Sequence, residues 1–199
     1  MATRIGCDNL VYAELDKDSQ ESLDYKDIKP LPGVMTLNIN PNASVDTIFY
    51  DDGPGETATT LGNVDVEIEK NELTTEQKAA LLGHKVDDKG AILYGVNDVP
   101  PWVAIGFRTL KSNGTYRYVW LYKGKFHEPE DNNQTKGDSI EFQSETINGQ
   151  FVMTDHEFDM GDRKIRPWKY EVDEESDAAD ETLISSWFDE VKQPVPATE

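Results

Sequence analysis

Cysteine is almost absent. Cys7 is alone among 199 residues, so neither an intrachain disulfide nor a cysteine-based metal cluster can form. Positive charge is scarce as well: 19 Lys and Arg stand against 39 Asp and Glu, a formal net charge of −20. Such a chain lacks the basic footprint of a general nucleic-acid binder and the polybasic segment that anionic membranes attract. No apolar run reaches membrane-spanning length, and the first residues, Met1 to Asp8, carry no apolar stretch of the kind a signal peptide needs. Synthesis in the cytoplasm is expected. Internal repeats are missing. So are Gly-x-Ser-x-Gly, Gly-x-Gly-x-x-Gly, a phosphate-binding loop and His-Glu-x-x-His. The chain is therefore expected not to be an enzyme and to hold no cofactor and no metal. What is present is packing material: 37% apolar and 10% aromatic residues, too much for a disordered acidic polymer.

Alternation dominates the pattern. Met35, Leu37 and Ile39 alternate with polar residues, and Val64, Val66 and Ile68 alternate with Asp65, Glu67 and Glu69. Both runs have the period of half-buried strands. The three acids form a stripe with a spacing of about 7 Å at ~3.4 Å rise per residue. Between these runs lies a turn-rich stretch, Asp51-Asp52-Gly53-Pro54-Gly55-Glu56, so residues 47–60 read as a long exposed loop or hairpin tip. Thr74 with Gln77 is a capping box. It predicts a short helix over 75–82 that stops at Gly83.

The second half reads as β. Val103, Ile105 and Phe107 alternate, and Asn113-Gly114 predicts a type I′ hairpin turn. The next strand puts Tyr116, Tyr118, Trp120 and Tyr122 on one face, with Arg117, Val119, Leu121 and Lys123 on the other. Residues 127–137 read as a polar loop, and Ile140 and Phe142 restart the alternation. Asn148-Gly149 reads as a second hairpin turn. Residues 171–181 hold seven acids and no Lys or Arg, the composition of a linker. Beyond it, Leu183, Ile184, Trp187, Phe188 and Val191 share one face of a helix. So short a helix is marginal alone. Its apolar face must dock on its own core or on a neighbouring copy. The fold expected is mainly β (α+β), a sandwich or barrel flanked by one short helix. The domain spans 1–170, and an acidic linker with a C-terminal arm spans 171–199.

Candidates for chemistry are thin. Asp155-His156-Glu157 with Asp159 reads as a solvated charged turn rather than a metal site. Asp16 to Glu21 opens like a calcium loop but has Glu21 where glycine is required. Cys7 beside Asp8 reads as a structural thiol. The row Tyr116, Tyr118, Trp120 and Tyr122 is either a packed sheet face or a carbohydrate platform. The second option leaves a carbohydrate-binding or adhesive β-sandwich as the alternative function. The stripe Asp65, Glu67 and Glu69 is either a solvated face or a wall that faces a polyanion without binding it.

Several segments in order resemble one family. They are Ile5 to Ala13 (IGCDNLVYA), Asp51 to Thr59 (DDGPGETAT), Leu81 to His84 (LLGH), Tyr116 to Phe126 (YRYVWLYKGKF) and Thr135 to Phe142 (TKGDSIEF), with Trp187-Phe188 near the end. Together they are similar to the phi13-type phage major tail proteins. The resemblance implies a structural virion protein of long, flexible phage tails. Its subunits would form stacked hexameric rings around a tape-measure protein. A tail terminator and distal tail proteins would cap the tube, and phage DNA would pass through the lumen without specific binding. It implies that Asp65, Glu67 and Glu69 line the lumen and that the loop Asp51–Glu56 reaches the next ring. It further implies that Leu183, Ile184, Trp187, Phe188 and Val191 form an arm that locks a neighbouring subunit. The family carries no catalytic site.

Overall fold

The alternating segments pair into antiparallel sheet. The computed structural model describes residues 2–50, 53–131, 135 and 143–195. The first half of the chain holds β1 (Arg4–Asp18), β2 (Leu23–Tyr25), β3 (Lys29–Pro30), β4 (Val34–Tyr50), β5 (Gly53–Lys70), α1 (Thr75–Leu82), β6 (Lys85–Val86) and β7 (Ile92–Leu93). The second half holds β8 (Val103–Lys111), β9 (Tyr116–His127), β10 (Glu145–Val152), β11 (Phe158–Asp159), β12 (Lys164–Ile165), β13 (Lys169–Asp173) and α2 (Glu181–Ser185). The main sheet runs β2-β1-β8-β9-β10-β5-β4, with β3 on β1 and β13 on β9. The fold is mainly β with short helices, as the alternation predicts.

Strand β9 explains the layering. Its Val119 and Leu121 enter one core with Ile105 of β8, Val66 and Ile68 of β5, and Leu81 and Leu82 of α1. Its Tyr118, Trp120 and Tyr122 enter a second core with Val11, Phe158, Trp187 and Val191. The sheet is thus covered on both faces here, which is why β9 carries apolar residues at both parities. Along its far edge β9 pairs with β13 over 117–121 and with β10 over 123–127, so the sheet forks at Tyr122. Helix α1 begins as its capping box predicts. Thr74 accepts from the Gln77 amide at 3.3 Å, and Gln77 Oε1 accepts from the Thr74 amide at 3.2 Å. The same Gln77 oxygen accepts from buried Lys70 at 2.9 Å, tying β5 to the helix start. Burial pushes the Lys70 amine below its usual range.

Four expectations change. The Asn113-Gly114 turn is not type I′, because Asn113 keeps a negative φ. The Gly114 amide bonds to the Lys111 carbonyl at 3.0 Å and the Lys111 amide to the Thr115 carbonyl at 2.9 Å, with Gly114 at φ 88. This is a three-residue loop with a left-handed glycine. Asn148-Gly149 is no turn at all, since β10 passes straight through it. A Cβ on Gly149 would sit 2.7 Å from the Phe126 ring, so the glycine serves a close side-chain approach. Of the two readings of 47–60 the hairpin tip holds and the extended loop does not: Thr47 pairs with Thr57 and Tyr50 with Gly53. The boundary set at 170/171 falls inside β13, which pairs Glu171 with Val119 and Asp173 with Arg117. Ile140 and Phe142 lie outside the described residues.

Candidate functional site

Two neighbouring features of the β4–β5 hairpin stand out. The first is the acid stripe. Val64, Val66 and Ile68 are buried, which turns Asp65, Glu67 and Glu69 to the opposite, solvent face. The register then sets each acid between two neutral partners. Glu69 pairs with Thr36 and Thr146, Glu67 with Asn38 and Asn148, and Asp65 with Asn40 and Gln150. Thr36 donates to Glu69 at 3.0 Å, Asn38 to Glu67 at 2.9 Å, and Gln150 to Asp65 at 3.1 Å. Ser144 also donates to Glu69, at 2.6 Å. These hydroxyl bonds hold the Glu69 carboxyl below the usual range. Neutral donors orient the carboxylates without cancelling their charge. The result is a hydrated anionic face whose three rows contain no Lys or Arg. A depression of about 480 Å³ runs beside it, reaching His127. The stripe is legible in the sequence. Its flanking row Asn148 and Gln150 is not, because Asn148-Gly149 imitates a turn.

The second feature is a ribbon. Strand β10 covers β5 only over Val64–Lys70, while β5 and β4 go on pairing with each other from Ala43↔Leu61 out to Tyr50↔Gly53. The outer part spans about 27 Å at ~3.4 Å per residue. It pairs with nothing else among the described residues. Gly53, Pro54, Gly55 and Glu56 of the expected ring-stacking loop lie in β5 at its outer end, and Asp51 and Asp52 lie outside the described residues. Strand β4 also has no neighbour along its other edge among the described residues. Its core-facing Val34, Leu37 and Ile39 are only partly buried, so one row of the core lies open at that edge.

The C-terminal arm behaves differently. Trp187 is completely buried and Val191 nearly so, against Tyr118, Trp120 and Tyr122 of the same chain. Trp120 Nε1 donates to the Trp187 carbonyl at 3.2 Å, the Tyr122 hydroxyl donates to the Lys192 carbonyl at 2.8 Å, and Tyr170 stacks on Trp187 with centroids 5.4 Å apart. Leu183, Ile184 and Phe188 pack against the same cluster. The face expected to lock a neighbour is therefore filled by the chain's own sheet. Helix α2 covers only Glu181–Ser185, capped by Asp180, and turns carry Trp187 inward. The acids before it are anchored too. Asp173 and Glu175 both bind Lys111, and Asp173 binds Arg117 at 2.9 Å. The Lys111 ammonium holds the Asp173 carboxyl down to about 2.

This packing removes the carbohydrate platform, because Trp120 and Tyr122 have no exposed surface. Among the described residues no cluster of His, Cys, Asp and Glu is placed to hold a metal ion. Asp18 is committed to Lys123 at 2.7 Å and to the amides of Asp155 and His156. Burial, with Asp8 beside it, pushes the Cys7 thiol up to about 11, away from nucleophilic use. No helix among the described residues is long and apolar enough to cross a membrane. Neither a scan against protein-family models nor a search of curated proteins finds a match to this chain.

Proposed function

We propose that this chain is a self-assembling structural subunit, the tail tube protein of a long-tailed phage. The observation that carries the reading is the β4–β5 ribbon with its open β4 edge. A two-stranded ribbon is at best marginally stable alone in water. A 17-residue edge strand whose one charge is Asp46 also has little of the charge that usually blocks edge-to-edge pairing. Both features make sense once copies associate. A strand laid along β4 covers Val34, Leu37 and Ile39, and a ribbon reaching the next ring gains the contacts its own subunit does not provide.

The acid stripe fits the same reading. DNA carries one negative charge per about 1.7 Å of axis. A wall of oriented carboxylates and amides repels it and offers no cation to hold it, so DNA slides past. Partners are other copies of the chain, a tape-measure protein and the proteins at the two tube ends, in the tail of the virion. The sequence resemblance points the same way.

Negative-stain electron microscopy of the concentrated protein tests the proposal. Rings or tubes are expected, and they should form more readily as salt screens the net charge of −20. A protein that stays monomeric across concentration and salt contradicts the assignment.

A further inference from the structure

The excursion between α1 and β8, residues 84–99, closes on itself. Gly83, at φ 79, lies so near its far end that a Cβ there would stand 2.3 Å from the Val99 carbonyl oxygen. Within the excursion, Asp87 Oδ1 accepts the amides of Lys89 and Ala91, each at 2.8 Å. At its base, Asp98 Oδ2 meets His84 Nδ1 at 2.7 Å and accepts the Gly95 amide at 2.8 Å. These bonds, His84 first, hold the Asp98 carboxyl below its ordinary range. An ionised carboxylate only accepts, so Nδ1 carries a proton. The charge of the ring is then decided at Nε2.

That nitrogen is enclosed. The His84 side chain is 3% exposed, and the Tyr94 ring lies 4.5 Å from the imidazole. Nε2 has no aligned hydrogen-bond partner, yet the Oε1 of Glu128, the residue after β9, stands 2.5 Å from it. A bare Nε2 would turn its lone pair on that oxygen, and the two would repel. A protonated Nε2 makes the contact an ion pair, and burial strengthens such a pair. Glu128 has room to leave. Its side chain is 56% exposed and borders a depression of about 460 Å³ that also holds His127 and Glu130. Two lysines complete the surroundings among the described residues. Lys85 acts on Asp98, and Lys78 of α1 acts on Glu145, Tyr94 and Asp131.

We propose that His84 is a proton-dependent clasp that fastens the excursion 84–99 to the end of β9 through Glu128. With both ring nitrogens protonated, His84 bridges Asp98 and Glu128 at once. Loss of the Nε2 proton keeps the Asp98 bond and releases Glu128 to solvent. The fastening is therefore complete below the imidazole titration, while the carboxylates stay ionised, and is lost as pH rises through it. What it fastens is an apolar surface, since Leu93, Tyr94, Val96 and Val99 are all exposed on the excursion. The clasp acts within one subunit and does not depend on the assembly reading above.

Nuclear magnetic resonance on the whole chain tests it. The His84 ring nitrogens and the amide exchange of residues 84–99 are followed against pH, with exchange expressed relative to an unstructured chain. Protection of 84–99 is expected to fall about tenfold as His84 loses its Nε2 proton. Glu128→Gln removes the charge and keeps the shape, so its protection profile should be flat and His84 should lose the proton at a lower pH. His127→Gln, which removes the neighbouring imidazole, should leave the fall in place. Both positions are exposed, so an unchanged thermal melt verifies folding. The clasp is refuted by protection that ignores the charge of His84, by the same fall in Glu128→Gln, or by a His84 ring that stays singly protonated wherever the protein is folded.

Discussion

Two appendages leave the sheet, and they meet opposite fates. The C-terminal arm folds back on its own subunit, while the β4–β5 ribbon stands clear of it. The sequence invites the same role for both, a reach toward a neighbouring copy. Their side chains separate them. The arm brings Trp187, Phe188 and Val191, large groups for which β9 offers an aromatic floor of Tyr118, Trp120 and Tyr122. Its carboxylates find Lys111 and Arg117. The ribbon brings mostly Ala, Ser, Thr and Val along its length and Ile48, Phe49 and Tyr50 near its tip, with acids and no cation. It has no cation with which to meet the acids that dominate the rest of the surface. An appendage that can satisfy itself does so, and one that cannot is left available for another molecule.

The comparison breaks most visibly at Trp187. Trp187→Ala should destabilise the monomer by about 3–5 kcal/mol, read as a lowered thermal midpoint. An unchanged midpoint would mean that the arm is held only loosely. Acid should act next. The Asp173 carboxyl has a folded-state value near 2 against an ordinary 3.8. Its stabilising contribution is full above about pH 4 and is lost as pH falls from there to about 2. Tryptophan fluorescence should report loosening of the arm in that window. Lys111→Ala should move the loosening to higher pH.

Excising the ribbon should barely touch the monomer. Replacing residues 44–60 by Asn-Gly, so that a two-residue turn joins Ala43 to Leu61, should leave the thermal midpoint within a few degrees while abolishing tubes. A large drop in the midpoint would show that the ribbon supports its own subunit. The smallest stability effect belongs to the solvent face. Asp65→Lys, Glu67→Lys and Glu69→Lys together should cost little, about 1 kcal/mol or less, yet convert the face from one that repels DNA to one that retains it in a gel-shift assay.

Local signals in the sequence survive wherever one face of an element is buried. Val64, Val66 and Ile68 turn inward, which forces Asp65, Glu67 and Glu69 outward, and Thr74 with Gln77 starts α1 where its spacing says. Signals fail where a glycine answers to a neighbour in space. Asn148-Gly149 looks like a turn because nothing nearby in sequence reveals the Phe126 ring that needs the room. The acids of 171–181 look like a linker because their partners, Lys111 and Arg117, lie more than fifty residues away in the chain.

The sequence by itself determined the mainly β class, the capped helix and the acid stripe. These depend on residue type and period, which act locally. Only the tertiary structure decided that the arm closes on its own subunit, that neutral donors flank each acid, and that the ribbon outruns the sheet. Those outcomes depend on strand register and on which distant side chains meet, and a one-dimensional pattern carries neither.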